Sequence, residues 1–446
     1  MVPGGDRVES VVVNPLDFSI AVGEVIRLDV LPRNVEGRVI TSGPATWTSS
    51  AAQVATVDSA GFVRAVGEGS AEIRASIDGK TGSARVTVTP ATVSEWKEHS
   101  CFVAATGAVW CWGRGGNGEL GNGARVSAST PARATLSGTA ASVSTGSSHS
   151  CAVLTSGAVW CWGSGAEGQL GNGSAGTQST AVQVMDAPSY RSVSAGGRHT
   201  CGITSSGDLR CWGFGFYGQL GNGRTTNVST PIQPQGGIGF DRVSAGARHT
   251  CALTPDGRAY CWGDNQYGQL GDGSTVMRSV PVPVTTALRF ARISAGARHS
   301  CAIALDGTAW CWGDNREGQL GNGSLSSSTT PTDVRSAPGF RLASVTAGGS
   351  HSCGLSAAGV VYCWGAGQFG QLGNGARTLV GNPVQVGVAL FSEVLVGNAH
   401  SCGVSRGTTV YCWGLNAFGQ LGTGDYGDRS IPSATAGNTS FTRGEG

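Results

Sequence analysis

The sequence predicts an all-β protein: a seven-bladed β-propeller preceded by a smaller N-terminal β-sandwich. Three observations carry this reading. One stretch, HSCAIALDGTAWCWGDNREGQLGNG at His299 to Gly323, returns seven times, its first Cys falling at Cys101, Cys151, Cys201, Cys251, Cys301, Cys353 and Cys402. A period of about fifty residues marks a solenoid, propeller or array. Gly is 73 of 446 residues while 39% of the chain is apolar, which describes many short strands joined by turns and not a disordered chain. Residues 8–89 carry neither Cys nor His and lack the period, so they form a separate domain.

The N-terminal domain is assigned to residues 1–91. Val11-Val12-Val13, Val25 to Val30, Ala71 to Ala75 and Ala84 to Val88 are short alternating runs bounded by Gly, Pro, Asn and Ser. That spacing reads as sandwich strands. The order WTSS (Trp47 to Ser50), VATVD (Val54 to Asp58), then G-F-V-x-A-x-G-x-G-x-A-x-I resembles the bacterial immunoglobulin-like group 2 domain. The resemblance implies an immunoglobulin-like spacer or adhesive module. Pro90-Ala91-Thr92 is expected to be a very short linker, and the repeats are expected to begin at Val93 within a second domain, residues 92–446.

In the fourth copy, Arg242 to Gly246 leads to His249, Cys251-Ala252-Leu253 forms a strand, Pro255-Asp256-Gly257 turns, and Arg258 to Trp262 returns antiparallel. Cys251 and Cys261 are equidistant from Asp256, so they face one another across the hairpin. Directly opposed residues lie about 4.5–5.5 Å apart, within disulfide reach. The pairs expected on this ground are Cys101–Cys111, Cys151–Cys161, Cys201–Cys211, Cys251–Cys261, Cys301–Cys311, Cys353–Cys363 and Cys402–Cys412. Pro281-Val282-Pro283-Val284 supplies an edge-type strand, because proline cannot donate to a ladder. Three or four such strands per repeat make a propeller blade. Phe441-Thr442-Arg443 matches Phe240-Asp241-Arg242, so a C-terminal strand is expected to complete the blade begun near Val93.

Charged residues make up 13% of the chain and the net charge is +2, which gives no field for nucleic acid or anionic lipid. All 14 Cys fall in pairs ten positions apart, which favours an oxidising compartment, whether extracellular, cell-surface or periplasmic. The first thirty residues lack the basic and apolar segments of a signal peptide, and no run of eighteen apolar residues occurs. The chain as given reads as soluble, and an exported form would have lost its signal or anchor.

The motif G-x-x-H-[ST]-C-A-[LI] followed by CWG-x-N-x-x-GQLG-[ND]-G resembles repeats of the regulator of chromosome condensation family over about residues 93 to 443. That resemblance implies a seven-bladed propeller whose repeated Gly, Trp, Leu and His are architectural, and protein binding on a propeller face. It transfers a fold and not an activity. Paired cysteines in every blade, the attached sandwich and the lack of a basic tail depart from the family's nuclear exchange factor. Guanine-nucleotide exchange on a small GTPase is therefore the alternative reading. Trp112, Trp162, Trp212, Trp262, Trp312, Trp364 and Trp413 occupy one fixed place, which reads as packing between blades and not as photoreception.

His99, His149, His199, His249, His299, His351 and His400 each stand two residues before a first Cys. A His-x-Cys with the opposite Cys offers three soft ligands to zinc or copper, and free buried thiols are a third possibility. The reading adopted is disulfides without metal or cofactor, with each imidazole bridging backbone groups of neighbouring turns. No catalytic constellation emerges: Asp264, Asp314, Glu167 and Glu317 are scattered over different blades. A carboxylate pair across the channel, as in an extracellular propeller enzyme, is the other alternative. Gly215-Phe216-Tyr217-Gly218 opens no helix and supports no phosphate loop.

The residues that differ between copies carry the binding hypothesis. The loops after Trp-Gly place Phe214, Phe216, Tyr217, Tyr267, Phe369 and Phe418 around one rim, and Arg198, Arg248 and Arg298 recur beside the His. Aromatics and Arg anchor protein interfaces, although rings at these places also fill gaps between blades. The sequence therefore predicts a non-enzymatic, exported binding protein, with another protein as ligand or else a glycan.

Overall fold

The computed structural model describes residues 7–14, 16–21, 25–66, 69–89, 98–185, 188–334, 340–387, 389–406, 409–437 and 441–442. Two compact units divide the chain, Met1–Val93 and Ser94–Gly446. Pro90-Ala91-Thr92, Val93 and Arg443 lie outside the described residues.

In the first unit, Asp17–Ala21, Lys80–Thr89, Gly69–Ile77 and Thr46–Ser49 form a four-stranded sheet in that order. Val25–Arg27, Phe62–Ala65 and Ala55–Val57 form a three-stranded sheet, and Ser10–Asn14 pairs with Asp29–Arg33. Alternation buries Val11, Val13, Ile73, Ala75 and Val86 between these layers. The run Val25 to Val30, expected as one strand, divides at Leu28. This side chain is buried and its N–H donates to Gly61 O at 2.9 Å, so the chain passes there from one sheet to another.

Among the described residues the second unit contains seven four-stranded antiparallel sheets. In the fourth, Arg242–Ala245, His249–Leu253, Ala259–Gly263 and Arg278–Pro283 follow one another in space as in sequence. Ser244 stands opposite Cys251, Cys251 opposite Cys261, and Cys261 opposite Val282. The first strands of successive blades contact one another and so lie innermost. The Pro-bearing fourth strands are outermost, where a missing N–H costs nothing. Phe441–Thr442 takes the innermost place of the blade built on His99–Ala104, with Ala104 opposite Phe441. Phe290 stands opposite Ala304 in the same way.

The core lies between blades. Cys251, Leu253, Cys261 and Leu270 of one blade pack with Phe290 and Trp312 of the next. Gly271 makes this approach possible: its φ is +70°, and a Cβ there would stand 2.8 Å from Trp312 Nε1.

Candidate functional site

The blade junctions set the geometry of the rim. Gln219 O accepts Trp262 Nε1 at 2.9 Å and Thr250 Oγ1 at 2.8 Å from the next blade. Thr250 Oγ1 also lies 2.9 Å from His199 Nε2. The hydroxyl has one proton, given to the carbonyl, so the imidazole donates through Nε2. The His-to-hydroxyl contact recurs at all seven junctions at 2.7–3.0 Å. The imidazoles thus bridge blades through a Ser or Thr side chain, and His351 also bonds the backbone of Asn398 in the next blade, the kind of group the sequence reading had named. The hydroxyl residue follows each His in the motif, which was the available signal. Burial holds His199, His249 and His351 down at about 3 and His299 at about 4, so they are neutral at physiological pH.

Each hairpin closes with its own disulfide: Cys101–Cys111, Cys151–Cys161, Cys201–Cys211, Cys251–Cys261, Cys301–Cys311, Cys353–Cys363 and Cys402–Cys412, all with Cα atoms 4.1 Å apart. In this state no thiolate is presented to a metal ion.

At the end of the blades where the His strands begin, arginines lie over aromatic rings. Arg198 lies 5.9 Å from the Phe214 centroid, Arg248 4.9 Å from Tyr217, Arg298 5.2 Å from Tyr267 and Arg316 4.8 Å from Tyr267. Phe214, Phe216 and Tyr217 contact one another at 5.6–5.9 Å. Tyr217 is buried, whereas Phe214, Phe216, Tyr267, Phe369 and Phe418 are half-buried and Arg198 and Arg298 are exposed. Gap filling and solvent exposure therefore coexist in this set. Phe369 and Phe418 stand on the sixth and seventh blades, away from the arginine row.

The loop backbones are held by the repeat's Gln, a role not read from the sequence: Tyr217 N and Tyr267 N donate to Gln219 Oε1 and Gln269 Oε1, each at 2.9 Å. Arg316 was also missed. It grips Asp314 through two hydrogen bonds of 2.9 and 2.8 Å. Burial opposes ionisation of Asp314, but the Arg316 guanidinium outweighs it and holds the carboxyl below its usual range. Burial pushes the Asp264 carboxyl up, against the pull of Arg248.

The residue before each His reads Glu98, Ser148, Arg198, Arg248, Arg298, Ser350 and Ala399, so the cations occupy the third to fifth blades alone. The first blade is different: Glu98 and Glu119, both buried, share Arg114 at 2.6 and 3.9 Å. Burial pushes both carboxyls up. Arg114 also lies 5.6 Å from the Phe418 ring, so this group clasps the seventh blade to the first. Glu167 accepts Asn227 Nδ2 from the next blade.

Closed blades bearing one such sector define a β-propeller scaffold with an asymmetric rim. The chain belongs to the RCC1-like domain family, whose profile matches residues 87–394. Regulator of chromosome condensation (RCC1) repeats match residues 393–420 and 409–442, and a Bacterial Ig-like domain (group 2) matches residues 8–93. No curated protein sequence matches the chain. Among solved structures it is similar to Prp20p of Saccharomyces cerevisiae, with 23% identity, 76% of this chain and 88% of that chain covered, and TM-score 0.68. It is also similar to human WBSCR16, with 21% identity, 74% and 94% coverage, and TM-score 0.68. At such identities the likeness concerns the fold.

Proposed function

We propose that the protein is an exported, non-enzymatic binding protein whose propeller docks another protein on the rim of the third to fifth blades. The observation that carries this reading is the row Arg198, Arg248, Arg298 and Arg316 stacked on Phe214, Tyr217 and Tyr267. Guanidiniums resting on rings are ordered before a partner arrives, which lowers the entropy lost on binding. Both residue types are favoured interface anchors. Four arginines against Asp264 and Asp314 give the sector a positive balance, suited to an acidic segment of the partner.

Placement outside the reducing cytosol is supported by the seven disulfides and by the bacterial Ig-like domain. Among the described residues no helix is long and apolar enough to cross a membrane. The fold is compatible with protein partners, since Prp20p has described binding properties to Gsp1p and histones. That likeness also favours the second reading, regulation of a small GTPase, but the disulfides weigh against a cytosolic partner.

The test is crosslinking on the surface of the producing cell, comparing the intact protein with a variant carrying Arg198→Ala, Arg248→Ala and Arg298→Ala. Loss of a defined crosslinked protein, with all disulfides retained, supports the assignment. An unchanged crosslink, or one that disappears only under a glycosidase, sends the search to another face or to a glycan.

A further inference from the structure

Asn-Gly is the dipeptide whose backbone cyclises most readily. The glycine N attacks the Asn side-chain carbonyl carbon, the Cγ–Nδ2 bond breaks, ammonia leaves with the amide proton, and water then opens the succinimide to Asp or isoaspartate. Thermolabile Asn is accordingly depleted where proteins must last. This chain nevertheless repeats the pair in its outer loops, at Asn122-Gly123, Asn172-Gly173, Asn222-Gly223, Asn322-Gly323 and Asn374-Gly375.

All five are tied by the same two bonds. The attacking group is engaged across the blade junction: Gly173 N donates to Ser229 O at 2.9 Å, and the other four glycines donate to the following blade's outermost strand at 2.9–3.0 Å. The Asn side chain is engaged locally, its Oδ1 accepting the N–H two residues on at 3.0–3.2 Å. Cyclisation needs the glycine proton removed and the side chain swung onto the nitrogen, so both bonds must break. The Asn residues are half-buried and their glycines exposed, so bulk water reaches the loops without freeing the nitrogen.

We propose that these five pairs are latent modification sites, closed to succinimide formation while neighbouring blades are joined and opened to isoaspartate when they part. A sixth pair, Asn117-Gly118, is tied inside its own loop: Gly118 N donates to Gly115 O at 2.9 Å and Asn117 Nδ2 to Glu119 Oε1 at 2.9 Å.

The test incubates the full oxidised protein, and the same chain reduced and unfolded in urea, in warm, mildly alkaline buffer. Isoaspartate at each of the five Asn is followed by peptide mapping, and hydrogen exchange at the five glycines is read on the native sample. The expected result is conversion at least about tenfold slower in the native protein, as local opening demands, with the five glycine amides protected. Conversion at equal rates in both samples, an unfolded chain that fails to convert, or unprotected glycine amides in the native protein would each overturn the proposal.

Discussion

Thr250 Oγ1 stands 2.9 Å from His199 Nε2 and passes its own proton to a third group, Gln219 O. One side chain thus joins an imidazole and a carbonyl of the preceding blade.

Neutral imidazoles at these junctions make stability depend on acid. In the unfolded chain they take up protons near 6.5, whereas in the fold His199, His249 and His351 do so only at about 3 and His299 at about 4. Between those values the unfolded state binds more protons, so stability is complete above 6.5 and falls as the pH descends through the window. Thermal unfolding midpoints should decline as the pH falls below 6.5, while the raised carboxyls of Glu98, Glu119 and Asp264 oppose that decline toward the acid end of the range. A midpoint that rises from the start of the descent would contradict neutral, buried imidazoles.

Trp262 is fully buried and donates to Gln219 O. Trp262→Ala should cost about 3–5 kcal/mol by leaving a cavity between two blades. Trp262→Phe retains most of the apolar area and should be markedly milder. Denaturant unfolding of the three proteins tests the order.

Each disulfide closes a loop with sequence separation 10. It contributes roughly 3 kcal/mol in the chain-entropy model. Cys251→Ala with Cys261→Ala should lower the unfolding midpoint without altering the other six bonds. Because all the paired sulfurs are buried, reductant should release thiols slowly from the native protein and quickly in denaturant, as timed alkylation and mass spectrometry would show.

The row of cations on rings should be weakly coupled. Arg298 and Tyr267 approach at 5.2 Å. A double-mutant cycle on that pair should give about 0.5–1 kcal/mol, because the guanidinium is solvated. A coupling near zero would remove the claim that the rim is ordered in advance.

Much of the architecture was legible in the sequence because it depends on local spacing. Cys251 and Cys261 lie equally far from the turn, and a period of two fixes their opposition. The partners across junctions were not legible. His199 meets Thr250 fifty-one positions away, and nothing in one sequence reports that distance. Glu98 and Glu119 stand where Arg198 and Gln219 stand in the third repeat, a difference the sequence reading passed over, and their sharing of Arg114 needed the folded loop. The break at Leu28 escaped because an apolar residue between two strands looks like a continuous run.

Every disulfide lies within one hairpin, and none was found between blades. A protease cutting inside a turn such as Thr254 to Arg258 would leave a molecule still covalently whole, its two pieces tied through Cys251 and Cys261. A cut in the stretch joining one blade to the next severs the chain outright, and the fragments then stay together only through the buried layers on either side. Nicked species should therefore separate under denaturing, non-reducing conditions into pieces whose boundaries fall outside the segments that the disulfides close, while cuts between the two cysteines of a hairpin stay invisible until the bonds are reduced.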